Sequence, residues 1–167
     1  QEKLGKISSK SWASMRGFEN MCKLARSPED WELCAMAALS MSFGLRAVEA
    51  LSVSYDGGTV HYAGAKGRRG RHAEEAGSWA REWGEILQML RARHGFPPAR
   101  SAWFHSRAAL HKGIAEPVGR PESDCKALCW HLWRRYGAAQ LRLLGAPTQS
   151  LLRWGGWATP SMLRVYA

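Results

Sequence analysis

The sequence predicts a mainly helical (α+β) domain that carries one small three-stranded antiparallel sheet. Three observations favour this fold class. Apolar residues recur at helical spacing over most of the chain, whereas residues 52–76 alternate between apolar and polar types around glycine turns. At 167 residues, 46% of them hydrophobic, the chain is long enough to bury one core. We therefore expect a single globular domain.

The N-terminal part contains two predicted helices. Residues 1–10 are polar and lysine-rich, and we interpret them as a linker or domain junction before a domain at 11–167. Helical spacing predicts a first helix over 12–25. Residues 27–30 (Ser-Pro-Glu-Asp) then predict a helix start, with a serine cap, a proline in the first turn and an acidic third position. That helix should end near Gly44.

A short helix is predicted over 45–51, where Arg46 and Glu49 share a face because they lie three residues apart. On this spacing alone the pair could be an ordinary surface ion pair of small energetic value. Residues 52–55 and 59–62 then alternate on either side of Asp-Gly-Gly, which predicts a β-hairpin.

A glycine-rich basic turn over 64–72 follows the hairpin and should lead into a third strand near 72–76. The backbone of such a turn can approach a phosphate closely, and its side chains can reach one. A solvated charged loop would have the same composition. The candidate DNA-binding residues in this turn are Arg68, Arg69 and Arg71.

Ser78 is predicted to cap a helix that runs to about Arg93, with Trp79 and Trp83 on its apolar face. We expect these tryptophans to pack in the core rather than to form stacking platforms for bases.

Three further helices are predicted in the C-terminal part. They cover 131–144, 148–154 and a last short stretch that opens at Thr159-Pro160 and carries Tyr166. Gly145 should end the first of these helices, and Gly155-Gly156 should end the second.

Charge is distributed unevenly along the chain. The net charge is +10, and every charged side chain after Asp124 is positive. Such asymmetry indicates a polyanionic partner, with nucleic acid as the first candidate and a generally basic surface as the alternative. The candidate DNA-binding residues in this region are Lys126, Arg135 and Arg153.

Several protein classes are excluded by composition. The chain has no run of 18 uncharged apolar residues and no N-terminal signal peptide, so we expect neither a membrane span nor secretion. Its four cysteines do not form two pairs at zinc spacing, and no carboxylate cluster suits Mg²⁺. We therefore expect no metal, no cofactor and reduced thiols in an intracellular protein, in the cytoplasm or nucleoid of a prokaryote or the nucleus of a eukaryote.

Five segments, taken in order, resemble the catalytic domain of tyrosine recombinases (the phage integrase family), and the resemblance covers residues 12–166. Residues 44–51 (Gly-Leu-Arg-Ala-Val-Glu-Ala-Leu) resemble the first arginine box, and Lys66 resembles the β-hairpin lysine. His131 and Arg134 match the H-x-x-R box. The remaining two segments are Gly155-Gly156-Trp157, at the position of the usual Leu-Gly-His, and Tyr166, nine residues later.

The resemblance implies a metal-independent strand transfer on double-stranded DNA, in which Tyr166 attacks a phosphodiester to form a 3′-phosphotyrosyl link. It assigns Arg46 and Arg134 to the non-bridging oxygens, where their planar forks suit the developing charge. His131 would bind a phosphate oxygen or assist deprotonation of the tyrosine. Lys66 would protonate the departing 5′ oxygen.

Two further residues complete the implied site. Glu49 would orient Arg46 or His131. Trp157 stands where histidine is commonest; some members carry tryptophan there, and an indole N–H can donate to a phosphate oxygen but cannot transfer a proton at neutral pH. Arg68 is the rival to Lys66, although arginine is a poor general acid.

The resemblance also implies partners and extent. Members act as tetramers on paired DNA sites, and we expect such a homo-oligomer of the full-length protein. The DNA-clamping N-terminal domain of the family has no counterpart in this sequence, which we interpret as a fragment. A non-catalytic DNA-binding module derived from a recombinase and a type IB topoisomerase-like enzyme are the alternatives.

Overall fold

The computed structural model of the protein describes residues 15–97 and 130–161. These residues form a mainly helical arrangement with one three-stranded antiparallel sheet, which confirms the predicted fold class. Most of the helix predicted to open at Thr159-Pro160, including Tyr166, lies outside the described residues.

The second helix forms the centre of the core. Helix α1 covers Met15–Leu24, and α2 covers Pro28–Phe43. Ser27 caps α2 through a capping box, in which its hydroxyl accepts from the Asp30 N–H while the Asp30 carboxylate accepts from the Ser27 N–H. Gly44 ends α2 with a left-handed φ of 65°, as predicted. Eleven residues of α2 are buried, so it is buried on nearly all sides.

A short helix and the sheet follow α2. Helix α3 covers Ala47–Ser52, β1 Ser54–Asp56, β2 Thr59–Gly64 and β3 Gly70–Glu75. The strands pair in the order β1-β2-β3, with Tyr55 opposite Val60 and Tyr62 opposite His72. The basic turn between β2 and β3 forms a 3₁₀ helix over Lys66–Arg68.

Helix α4 covers Ser78–His94 and packs on α2 and β1. Its cap is Gly77 rather than Ser78, so the predicted serine cap is wrong: the serine is the first helical residue, and the glycine before it has the extended backbone of a cap. Trp79 and Trp83 pack edge-on against Phe18, with ring centroids 5.7 and 5.3 Å away. The expectation that they belong to the core is confirmed.

A buried ion pair joins α4 to α2 and α3. The Arg91 guanidinium donates to the Glu32 carboxylate at 2.8 Å and to the carbonyl of Ala50 at 3.2 Å. Burial lowers the pKa of Arg91 to about 10, which leaves it charged at neutral pH. The pair therefore anchors the C-terminal turn of α3, the helix that follows Arg46.

The last two described helices are α5, His131–Leu143, and α6, Thr148–Gly155. Helix α5 lies against α2 at Gly137, where an added Cβ would stand 2.3 Å from the Met41 carbonyl oxygen. Helix α6 is tied to the end of α2 by the Trp154 indole, which donates to the Ser42 carbonyl at 2.9 Å. These contacts bring residues 134 and 155–157 to the end of α2 that precedes Arg46.

The helices in the described ranges 15–97 and 130–161 do not include one that is both long and apolar enough to cross a membrane.

Candidate active site

Arg46 lies between the basic turn and the glycines at the end of α6. Its Nη1 donates to the Ala65 carbonyl at 3.2 Å, and its Nη2 donates to the Gly156 carbonyl at 3.2 Å. The side chain is buried between these two segments. Its position just before α3 follows from Gly44, whose left-handed backbone turns the chain out of α2.

Arg134 reaches the same glycine turn from α5. Its Nη2 donates to the Gly155 carbonyl, and its guanidinium lies over the Trp157 ring with 4.8 Å between Cζ and the ring centroid. Only 1% of the Arg134 residue surface is exposed, so its charge lies in surroundings of low dielectric constant.

Arg46 and Arg134 therefore meet at two successive carbonyl groups, although they come from distant parts of the sequence. A guanidinium has five N–H donors in a fixed plane, an arrangement that suits phosphate oxygens as well as backbone carbonyls. The two guanidiniums are therefore candidates for contact with one phosphate.

Glu49 is the fully buried acid of the site. One of its carboxylate oxygens accepts from the Arg46 N–H at 2.8 Å, and the other accepts from the Ala65 N–H at 3.0 Å. The Arg46 and Glu49 side chains approach within 3.6 Å. The pair is thus buried and built into the fold, which removes the alternative of a weak surface ion pair.

The pKa of Glu49 lies below its ordinary value. Burial alone would raise it, but hydrogen bonds from the Arg68 side chain and from the Arg46 backbone, with the charge of Arg68, outweigh burial. Glu49 is therefore an anion at neutral pH, and its role is to hold cations and backbone N–H groups in place.

Lys66 is exposed and lies directly after Ala65, whose N–H and carbonyl are held by Glu49 and Arg46. Its φ is 51°, the left-handed region that side chains other than glycine rarely adopt. Such a conformation costs about 1–2 kcal/mol and persists only where the surroundings impose it. The turn therefore holds Lys66 at the surface, next in sequence to the residue that Arg46 and Glu49 bind.

Arg68 is buried, and this position does not agree with the expectation that it contacts DNA. Its Nε and Nη2 donate to the two oxygens of Glu49, each at 3.0 Å. Further bonds run to the carbonyls of Gly44 and Trp154, both at 2.5 Å. The guanidinium is thus bound by groups of the protein interior.

Trp157 is buried beside α6 in a small cluster with Ala138, Leu151 and Leu152. Its ring fills the space at Gly155, where an added Cβ would stand 2.0 Å from it. Packing is thus only part of the role of Trp157, because its ring also lies against the Arg134 guanidinium.

The other predicted residues fall into three groups. Arg69, Arg71 and Arg153 are exposed, as DNA contact requires, and Arg135 is half-buried. His131 is the first residue of α5, one turn before Arg134, and its side chain is outside the described part of the protein. Lys126 and Tyr166 lie outside the described residues.

Two roles of the glycines at the end of α6 were not predicted from the sequence: their carbonyls accept hydrogen bonds, and Gly156 lets arginine side chains approach closely. The carbonyls of Gly155 and Gly156 accept from the arginines, whereas the sequence identified these residues only as a helix end. Gly156 has a φ of 70°, and an added Cβ would stand 3.1 Å from Arg68 and 3.2 Å from Arg46. The double glycine was the available signal, since close backbone approach is one reason for glycine.

Within the described residues, histidine, cysteine and acidic side chains do not form a group of three that could hold a metal ion. Comparisons with protein-family models, with curated proteins and with solved structures give no match to this chain.

Proposed function

We propose that this chain is the catalytic domain of a tyrosine recombinase or integrase, which cleaves and rejoins double-stranded DNA. The observation that carries the proposal is the convergence of Arg46 and Arg134 on the carbonyls of Gly156 and Gly155. An ordinary polar face on α5 would not bring Arg134 to the same turn as an arginine from a distant part of the sequence.

The proposed reaction begins at Tyr166. Its phenol has an ordinary pKa of about 10, so nearby cations or a base must favour loss of its proton. The phenolate oxygen forms a bond to phosphorus while the bond to the 5′ oxygen breaks, which leaves a 3′-phosphotyrosyl link. Attack by the free 5′ hydroxyl reverses these steps and rejoins a strand without any loss of bond energy.

The remaining residues stabilise charge and move the second proton. Arg46 and Arg134 donate to the non-bridging oxygens, where negative charge increases in the transition state. His131 binds a phosphate oxygen or accepts the phenol proton. Lys66, exposed on the turn that Arg46 and Glu49 hold, gives a proton to the leaving 5′ oxygen.

DNA binding in this proposal depends on exposed basic residues around the site. Arg69 and Arg71 flank Gly70 beside the Lys66 turn, and Arg153 lies on α6 one residue before Trp154. Phosphate contacts of this kind provide affinity without base specificity. We expect the protein to act as a homo-oligomer, a tetramer on paired sites.

Covalent capture tests the proposal without knowledge of the target sequence. The substrate is a pool of duplexes with a randomised region and a nick on the 3′ side of the cleavage position, so that the short fragment with the free 5′ hydroxyl diffuses away after cleavage. Adducts that survive denaturation are recovered and sequenced. We expect the native chain and the Tyr136→Phe control to form adducts, and Tyr166→Phe to form none.

Two outcomes would count against the proposal. Salt-sensitive DNA binding without any adduct would favour the non-catalytic DNA-binding module. Adduct formation that survives Tyr166→Phe would show that another residue is the nucleophile.

We also expect Arg134→Ala to lower the rate of adduct formation by about 10²–10³, the usual effect of removing one charge-stabilising donor.

A further inference from the structure

Arg68 contacts the segments that carry the candidate site. Its guanidinium binds both oxygens of Glu49. It also donates to the Gly44 carbonyl, two residues before Arg46, and to the Trp154 carbonyl, directly before the glycine turn. One buried side chain therefore links the Lys66 turn, the start of α3 and the end of α6.

The position of Arg68 is fixed by its own neighbours. The Arg68 carbonyl oxygen lies 2.8 Å from the His72 Nε2. The guanidinium carbon of Arg68 lies 5.1 Å from the centroid of the Tyr62 ring. Gly64 makes this geometry possible, because an added Cβ would stand 1.6 Å from the Arg68 carbonyl oxygen. Both the backbone and the side chain of Arg68 are thus held by the sheet.

Two arginines approach the Glu49 carboxylate at different distances. Arg68 binds it at 3.0 Å through two nitrogens, while the nearest contact of the Arg46 side chain is 3.6 Å. A buried carboxylate attracts the cation that can reach it best, and the fork of Arg68 matches its two oxygens. Arg46 instead directs its nitrogens to the carbonyls of Ala65 and Gly156.

We propose that Arg68 is a positioning residue. By binding Glu49 it keeps that carboxylate from capturing the Arg46 guanidinium, and so holds Arg46 beside Arg134 at the glycine turn. The consequence for phosphate binding rests on the proposed function, whereas the effect on the Arg46 side chain does not.

The test follows the Arg46 Nε–H signal by ¹H–¹⁵N NMR, first without any phosphate. In Arg68→Met we expect this signal to move, because Glu49 draws Arg46 away from the carbonyls. In the double variant Glu49→Gln/Arg68→Met the carboxylate charge is gone, and the signal should return toward the native position. Arg93→Met removes an exposed arginine from α4 and is the control for a general loss of charge.

A purely structural role would not produce this rescue. The proposal fails if the Arg46 signal in Arg68→Met stays at the native position, or if the double variant is displaced as far as the single one. Should Arg68→Met not fold, the double variant decides alone: a near-native Arg46 signal supports the proposal and a displaced one overturns it.

Inorganic phosphate provides the second measurement. We expect Arg68→Met to bind it about tenfold more weakly than the native chain, as judged from the Arg46 signal, and the double variant to recover most of that loss. If the native chain shows no response to phosphate, the proposed phosphate site fails, while the phosphate-free spectra still decide the role of Arg68.

Discussion

Arg46 and Arg134 donate to the carbonyls of neighbouring residues, Gly156 and Gly155, although one precedes α3 and the other lies on α5. The glycine turn is therefore the element that brings the two guanidiniums together. Glu49 and Arg68 hold the turn and the basic hairpin around them. These contacts are made by the protein alone, so the proposed anion site would be formed in advance, the arrangement that charge stabilisation requires.

Gly156→Ala should strain the backbone and force close contacts with two arginine side chains. The residue has a φ of 70°, and the new methyl group would press on Arg68 at 3.1 Å and on Arg46 at 3.2 Å. We expect a loss of about 1–3 kcal/mol in the free energy of unfolding, measured with urea, together with a loss of adduct formation. Gly57→Ala is the matched control, since Gly57 has a φ of 56° but nothing within 4 Å. Equal losses in the two variants would contradict the close packing at Gly156.

Substitutions of Lys66 should change the free energy of unfolding and the rate of adduct formation in different ways. At a φ of 51°, Lys66→Gly relieves backbone strain that Lys66→Ala retains, so the glycine variant should unfold about 1 kcal/mol less readily than the alanine variant. Both variants lose the ammonium group and should lose adduct formation equally. Urea unfolding and the covalent capture assay measure the two effects. Retention of the native cleavage rate in either variant would remove Lys66 from the mechanism.

Glu49→Gln should change how stability depends on pH. The pKa of Glu49 in the folded protein is below the ordinary 4.5, since the bonds from Arg68 and Arg46 outweigh burial. The unfolded chain therefore takes up the proton first, and the stabilisation is present above about pH 4.5 and lost as the pH falls through the folded pKa.

We expect Glu49→Gln to cost about 3 kcal/mol at pH 7, because it leaves Arg68 buried without its carboxylate, and to reduce the loss of stability below pH 4.5. Urea unfolding between pH 3 and 7 measures both effects. Glu75→Gln, an exposed carboxylate on β3, is the control. An unchanged pH profile in Glu49→Gln would contradict the electrostatic role of this residue.

Arg69 and Arg71 are exposed next to the Lys66 turn and should contact DNA phosphates. Each phosphate contact contributes about 0.9 to the slope of log affinity against log salt concentration, so replacing both by alanine should reduce that slope by nearly 2. Fluorescence anisotropy with a short duplex at several salt concentrations measures it. Arg93→Ala, an exposed arginine on α4, should leave the slope closer to native. The same decrease in all variants would indicate a diffuse basic surface.

Local signals in the sequence predicted most of the fold. Ser27 and Gly44 carry the chemistry of helix ends, and the alternation around Gly57 predicts the hairpin. The cap of α4 was assigned one residue too late because Gly77 and Ser78 are both acceptable caps. Such local choices depend on the chain direction at the end of β3, which the sequence does not specify.

The candidate site was predictable only in part. The spacing of Arg46 and Glu49 predicted that they are neighbours, but Arg46 precedes α3 instead of lying on its face, and its burial depends on contact with α6. Arg68 could not be distinguished from Arg69, since both lie in one basic turn and only the three-dimensional path of that turn directs Arg68 inward. Long-range contacts, absent from any local pattern, decide which basic residues are structural.

A shared phosphate site is tested most directly by titration of the native chain with inorganic phosphate, followed through the Nε–H signals of Arg46 and Arg134. If the two guanidiniums form one phosphate site, both signals should move along a single binding curve with one dissociation constant, and Arg134→Lys should weaken the response at Arg46. Movement of only one signal, or two curves with different constants, would contradict a shared site.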